Sequence, residues 1–186
     1  MYNFVGIKTY ALPPVNEKEA LRYAGCKQAD GELIQLLKSC AREIEQIVCP
    51  RVCFARFSAE LLRETFPQSK LLALRLKDCQ EAVVFAATIG LETDRRILQN
   101  ENRSITKALL FQALGAERIE SLCNAFCKEI QNSLPRFSPG FGDFPLQAQK
   151  WIFQTLDVTK KIGVTLNESL LMTPTKSVTA IVPIKG

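Results

Sequence analysis

Residues 135–153 read PRFSPGFGDFPLQAQKWIF, and the organisation of the chain can be worked out from this stretch. A flexible linker would be polar and rich in glycine and serine. Here Pro135, Pro139 and Pro145 fix φ, and Phe137, Phe141 and Phe144 carry apolar surface that has to be buried. The segment is therefore expected to be a stiff, docked loop. Ser138-Pro139-Gly140-Phe141 has the pattern of a type II turn, with proline second and glycine third, where φ is positive. Such a turn is expected to expose backbone amides. Arg136 enters it carrying a forked guanidinium, and its charge-assisted hydrogen bonds to a carboxylate contribute roughly 1.5–3 kcal/mol each. Two readings stay open from composition: Arg136 grips the anionic end of a small molecule, or it pairs with Asp143 and the loop joins two helices.

Outside this loop, composition excludes several classes. A chain of 186 residues, 47% hydrophobic and 23% charged, is long enough to bury a core without staples and is not disordered. We read it as one module over 1–186, with a helical N-terminal part at 1–50 and a ligand loop at 135–145. The first residues, MYNFVGIKTYALPP, lack a basic region followed by an apolar run, and no stretch approaches the roughly 18 apolar residues of a membrane span. A cytoplasmic address without membrane contact is the expectation.

Seven cysteines include the pairs Cys49/Cys53 and Cys123/Cys127, both spaced by four, which misses the two-residue gap of zinc knuckles and redox motifs. They read as reduced thiols packed as small apolar groups. The absence of histidine removes the commonest general base and metal ligand, so no catalytic residue is expected.

The coarse pattern is α+β. Asn16–Ala24 and Asp30–Val48 show helical spacing, the second with Leu33, Ile34, Leu37, Ala41, Ile44 and Val48 on one face and Asp30 as its cap. Arg51–Phe57 and Glu81–Ile89 read as strands. Ser104–Leu134 is the longest helical pattern, its stripe formed by Ile105, Leu109, Ala116, Ile119, Cys123, Phe126, Ile130 and Leu134. Glu120 interrupts that stripe, and a carboxylate in apolar surroundings needs a partner. That partner is either a cation of the protein, such as Lys128, Arg118 or one on a neighbouring element, or a ligand ammonium. Gly115, costly in a helix, is expected to let a ligand approach.

The loop and the residues after it resemble the activation domain of cobalamin-dependent methionine synthase, and most of all its small stand-alone relatives. In that family an Arg-x-x-Pro-Gly-Tyr loop precedes a helix, a Leu-Thr-Glu-Ser element, a Met-x-Pro turn and a Ser-Val strand. The corresponding residues here are Arg136 to Phe141, Leu166-Asn167-Glu168-Ser169, Met172-Thr173-Pro174 and Ser177-Val178. The resemblance implies a twisted antiparallel β-sheet surrounded by helices, with Ser177–Pro183 as a further strand. It also implies an accessory role in reductive methylation, or reactivation, of a cobalamin-dependent methyltransferase of the methionine synthase type. S-adenosylmethionine would be bound by this chain, cobalamin carried by a partner synthase or related corrinoid protein, and one electron delivered by a flavodoxin-like donor.

Carried over by position, Arg136 would hold the cofactor carboxylate, the backbone of Pro139 and Gly140 would contact its polar parts, and Phe141 stands where the family has tyrosine. Glu120 would face the ammonium or sulfonium end. Glu168 and Ser169 would brace the loop against the sheet. Phe141 lacks the phenolic hydroxyl, and the synthase's N-terminal aspartate and C-terminal tyrosine segment have no counterpart in the sequence. The alternative is therefore a docking module for a corrinoid protein that does not use S-adenosylmethionine. A formal charge of +5 suits an acidic electron-transfer partner, while the dispersed basic residues, without aromatic interleaving, speak against nucleic acid.

Overall fold

The strand Cys79–Thr88 (β3) is buried on both faces, and the rest of the architecture is arranged around it. Side chains alternate along a strand, so Ala82, Val84 and Ala86 enter one apolar cluster and Val83, Phe85 and Ala87 enter another. Both faces of the sheet must then be covered by other elements. In this computed structural model residues 4–186 are described; residues 1–3, part of the N-terminal stretch expected to be helical, lie outside them.

The described elements are, in chain order, β1 (Gly6–Thr9), α1 (Glu17–Tyr23), α2 (Gly31–Ile47), β2 (Arg51–Ser58), α3 (Ala59–Thr65), α4 (Lys70–Arg75), β3, α5 (Glu92–Glu101) and α6 (Ile105–Lys128), followed by α7 (Ala148–Leu156), α8 (Val158–Ile162), β4 (Thr165–Leu166), β5 (Met172–Thr173) and β6 (Ser177–Lys185). The main sheet runs β1-β2-β3-β6, each neighbour antiparallel, with β4 and β5 forming a small separate hairpin. This is the expected α+β class. The N-terminal part also supplies the edge strand β1 ahead of its two helices.

One face of the sheet packs on α3, α4, α7 and α8 through Leu62, Leu72, Ile152, Leu156 and Ile162. The other packs on the C-terminal half of α6 through Ile119, Leu122, Cys123 and Phe126. A third cluster joins α1, α2 and α5 to the N-terminal half of α6 through Leu37, Ile44, Ile97, Phe111 and Leu114. The Asp30 cap read from the sequence is present, its carboxylate accepting from Leu33 N at 2.8 Å, and the Ser104 hydroxyl likewise accepts from Lys107 N at 3.4 Å, caps worth about 1 kcal/mol each.

Two expectations for α6 are corrected. Ile105 and Leu109 are 79% and 47% exposed, because the packing partner of α6 changes from the sheet to α2 and α5 and the buried side rotates onto Ala108, Leu110, Phe111 and Leu114. The helix also stops at Lys128 rather than at Leu134. Beyond it the chain turns at Asn132 (φ 55°) and runs beside β6, with Ser133 opposite Ile184 and Phe137 opposite Ile181. Leu134 N donates to Pro183 O at 2.9 Å, and Phe137 and Ile181 exchange bonds of 3.0 and 2.9 Å. Residues 132–137 thus screen an edge of the sheet. No helix among the described residues is long and apolar enough to cross a membrane.

Candidate functional site

Strand-like pairing of 133–137 decides where Arg136 goes. Phe137 enters the cluster on the α7 face of the sheet, so its neighbour Arg136 is turned to the opposite face, where α6 lies. There its guanidinium donates to the Glu120 carboxylate (Nη2 to Oε2, 2.5 Å) and to the Asn124 carbonyl oxygen (Nη1 to Oδ1, 2.7 Å). Glu120 and Asn124 stand one turn apart on the helix, so the flat fork spans both. The side chains are 20% and 42% exposed for Arg136 and Glu120, which leaves the pair facing solvent on one side.

Of the two partners weighed for Arg136, Asp143 is not the one seen. Asp143 lies at the start of α4, accepting from Lys70 N (2.8 Å), Leu71 N (3.0 Å) and the Ser69 hydroxyl (2.9 Å). These bonds, that from Leu71 N foremost, hold its carboxyl below the usual aspartate range. Glu120 in turn is served by a cation of a neighbouring element, and Arg118 is engaged elsewhere: it is fully buried, bonded to Glu117, and donates to the Pro13 carbonyl at 2.5 Å and the Pro14 carbonyl at 3.3 Å.

The type II turn is present as read. Phe141 N donates to Ser138 O at 3.2 Å and Gly140 has φ +87°. Its amides are not displayed as expected, because Gly140 N is used by Phe144 O at 2.8 Å and Phe141 N by Ser138 O, while proline has no N–H to offer. Pro139 is buried, Phe137 and Phe144 are core residues, and the Phe141 ring projects with 59% of its surface exposed.

Two grooves flank the Arg136–Glu120 pair. An open cleft of about 500 Å³ lies between α6 and α1, with Glu120, Ser121 and Asn124 on one side, Glu19, Arg22 and Tyr23 on the other, and Pro13 and Pro14 across it. A second, of about 360 Å³, is lined by Asn124, Cys127, Pro135 and Arg136. Pro139, Gly140 and Phe141 line neither groove and lie further along the same loop. The structure therefore brings Glu120 and Arg136 together, while the turn packs further along the loop against Leu146 and Leu71.

Two further expectations are settled by position. A β-carbon at Gly115 would meet Thr93 Cγ2 and Lys176 Cε at 2.9 Å, so the missing side chain makes room for α5 and for the segment before β6 rather than for a ligand. Glu168 and Ser169 sit exposed at the tip of the β4–β5 hairpin and do not brace the loop. Asn124 was missed by sequence reasoning, although its spacing of four from Glu120 is the available signal. All seven cysteines are free thiols, and no metal-ligating cluster is found among the described residues.

No family model matches the chain, and no curated protein matches it in sequence. Among solved structures, the crystal structure of the MetH reactivation domain bound to AdoHcy superposes with a TM-score of 0.70, covering 97% of this chain and 78% of that one at 16% identity. The fold is that of the MetH reactivation domain. At this identity the likeness establishes the antiparallel sheet with its surrounding helices.

Proposed function

We propose that this protein binds S-adenosylmethionine and acts as an accessory module for the reductive methylation, or reactivation, of a cobalamin-dependent methyltransferase of the methionine synthase type. The observation that carries the reading is the Arg136–Glu120 pair. Two opposite charges at 2.5 Å, partly open to solvent, mirror the carboxylate and ammonium of an α-amino acid, which S-adenosylmethionine carries at one end. The AdoHcy of the solved neighbour has the same amino-acid end.

The residues present fit such a ligand. Arg136 uses Nη1 and Nη2 bonds on Asn124 and Glu120 and keeps further N–H donors for a carboxylate. Glu120 binds Arg136 through Oε2, leaving Oε1 for an ammonium. The backbone of Pro139 and Gly140 would meet polar groups of the other end, with the Phe141 ring covering it. When bound, the sulfonium supplies an electrophilic methyl group to a nucleophile on another protein. What this chain contributes is position, holding the amino-acid end on α6 and the remainder along the loop. Cobalamin would be carried by the partner synthase or a related corrinoid protein, a flavodoxin-like donor would supply the electron, and the encounter would take place in the cytoplasm.

Exposure of Phe141 favours a second reading, docking on a corrinoid protein without use of S-adenosylmethionine. Titration calorimetry of S-adenosylmethionine into the protein, alone and with a cob(II)alamin-loaded partner, separates the two. Saturable binding lost in Arg136→Ala supports the proposal. Absence of heat in both settings overturns it in favour of docking.

A further inference from the structure

The loop after Arg136 is fastened at two places with the type II turn between them. Its first fastening is the bond pair between Phe137 and Ile181 on β6. The second is Asp143, whose Oδ1 accepts from the Ser69 hydroxyl and Leu71 N while Oδ2 accepts from Lys70 N, at 2.8 to 3.0 Å. These donors lie more than seventy residues away in the chain. Helix α4 does not need Asp143 as its cap, because Ser69, almost wholly buried, already accepts from Leu72 N at 3.1 Å. Next to Asp143, Gly142 has φ +60°, and a β-carbon there would approach Leu71 Cδ2 to 3.0 Å. The loop is thus pressed onto α4, and a charged acceptor takes amides that water could otherwise serve.

We infer that Asp143 is the positioning residue of the ligand loop, holding the Ser138–Phe141 turn at the place where bound ligand meets it. Its bearing on the cofactor rests on the reading under Proposed function, whereas the anchoring itself does not. Without Asp143 the segment between Phe137 and Phe144 keeps only its own turn bonds, and the Phe141 ring and the Gly140 backbone lose their fixed relation to the Arg136–Glu120 pair.

Asp143→Asn tests this in the full chain. It is isosteric but sets an amide NH2 group against the Lys70 or Leu71 N–H. Two readouts are taken: hydrogen exchange of the peptide covering 138–142, and S-adenosylmethionine affinity by calorimetry. Ala73→Gly, on the exposed face of α4, is the control that loosens the helix without touching Asp143. The expected result is at least tenfold faster exchange at 138–142 with β3 unchanged, and at least tenfold weaker binding, in Asp143→Asn and not in Ala73→Gly. Unchanged exchange in Asp143→Asn overturns the inference, as does an equal effect of Ala73→Gly. Should wild-type protein bind no S-adenosylmethionine, the functional reading falls, and the exchange data still decide the anchoring.

Discussion

Arg136 and Glu120, sixteen residues apart, meet at 2.5 Å because a strand-like segment and a helix present them to each other across the sheet edge. The pair is held in place by Asn124 and by the backbone bonds of Phe137, so its geometry exists before any ligand arrives. Preorganisation of this kind reduces the entropic cost of ordering on binding.

Arg136→Ala should weaken binding of S-adenosylmethionine and S-adenosylhomocysteine by about 10- to 100-fold, the loss of one or two charge-assisted hydrogen bonds. Binding of adenosine, which lacks the amino-acid end, should be unchanged. Melting should shift little, since the abandoned Glu120 carboxylate is 42% exposed and can hydrate. Calorimetry with the three ligands checks this, and an equal loss for adenosine would remove Arg136 from the amino-acid subsite.

The Glu117–Arg118 pair is a different case, with side chains 7% and 1% exposed. Removing one partner of a buried pair leaves an uncompensated charge, so Arg118→Met should cost about 3–5 kcal/mol in urea unfolding. Replacing both residues by apolar ones should cost much less. The strap at Pro13 and Pro14, whose carbonyls receive the guanidinium, should become sensitive to protease in the single variant.

Burial pushes the Cys53 and Cys123 thiols up to about 12. At pH 8 iodoacetamide should therefore modify exposed Cys49 long before either of them, as peptide mapping would show. The same shift links stability to pH. These groups are neutral in the fold and ionise in the unfolded chain from their ordinary value of 9.0 upward. Their contribution is complete below that value and is lost progressively as pH rises towards about 12. Cys53→Ala should flatten this alkaline slope.

Gly115→Ala pits helix propensity against space. Alanine gains about 1 kcal/mol in a helix interior, while overpacking costs about 1–3 kcal/mol. Lys176 can swing aside, but Thr93 is fully buried and its Cγ2 would lie at 2.9 Å from the new methyl. Space should win, with a fall in melting temperature by calorimetry; a rise would mean that α5 yields freely.

Local signals carried much of the fold. The Asp30 cap, the helical patterns starting at 16 and 104, the strands at 51 and 81 and the Pro139-Gly140 turn depend on neighbours in sequence, and all are found. The end of α6 was misread because Ile130, which is buried, and Leu134, which is half-buried, continue the helical period, although they lie beyond the helix end in the segment that leads along β6. Ile105 and Leu109 were misread because one period cannot register a change of packing partner midway along a helix. At the site, Arg136 and Glu120 were each legible as polar residues out of place. Their pairing depends on the register of 133–137 against β6, which no local pattern encodes. Asp143 was one of two readings for the partner of Arg136, on proximity in sequence, whereas its true partners are the amides at the start of α4.

Helix α6 belongs to two apolar clusters at once, its first half to one and its second half to the other, and Glu120 stands just inside the second, next to Ile119. A carboxylate on such a helix shifts only if both clusters yield together. The loop from Ser138 to Gly142 is instead a short stretch between two fastenings, and its Phe141 ring is exposed. Under the proposed function, affinity can therefore be tuned at exposed loop positions such as Phe141, which lie outside the buried core.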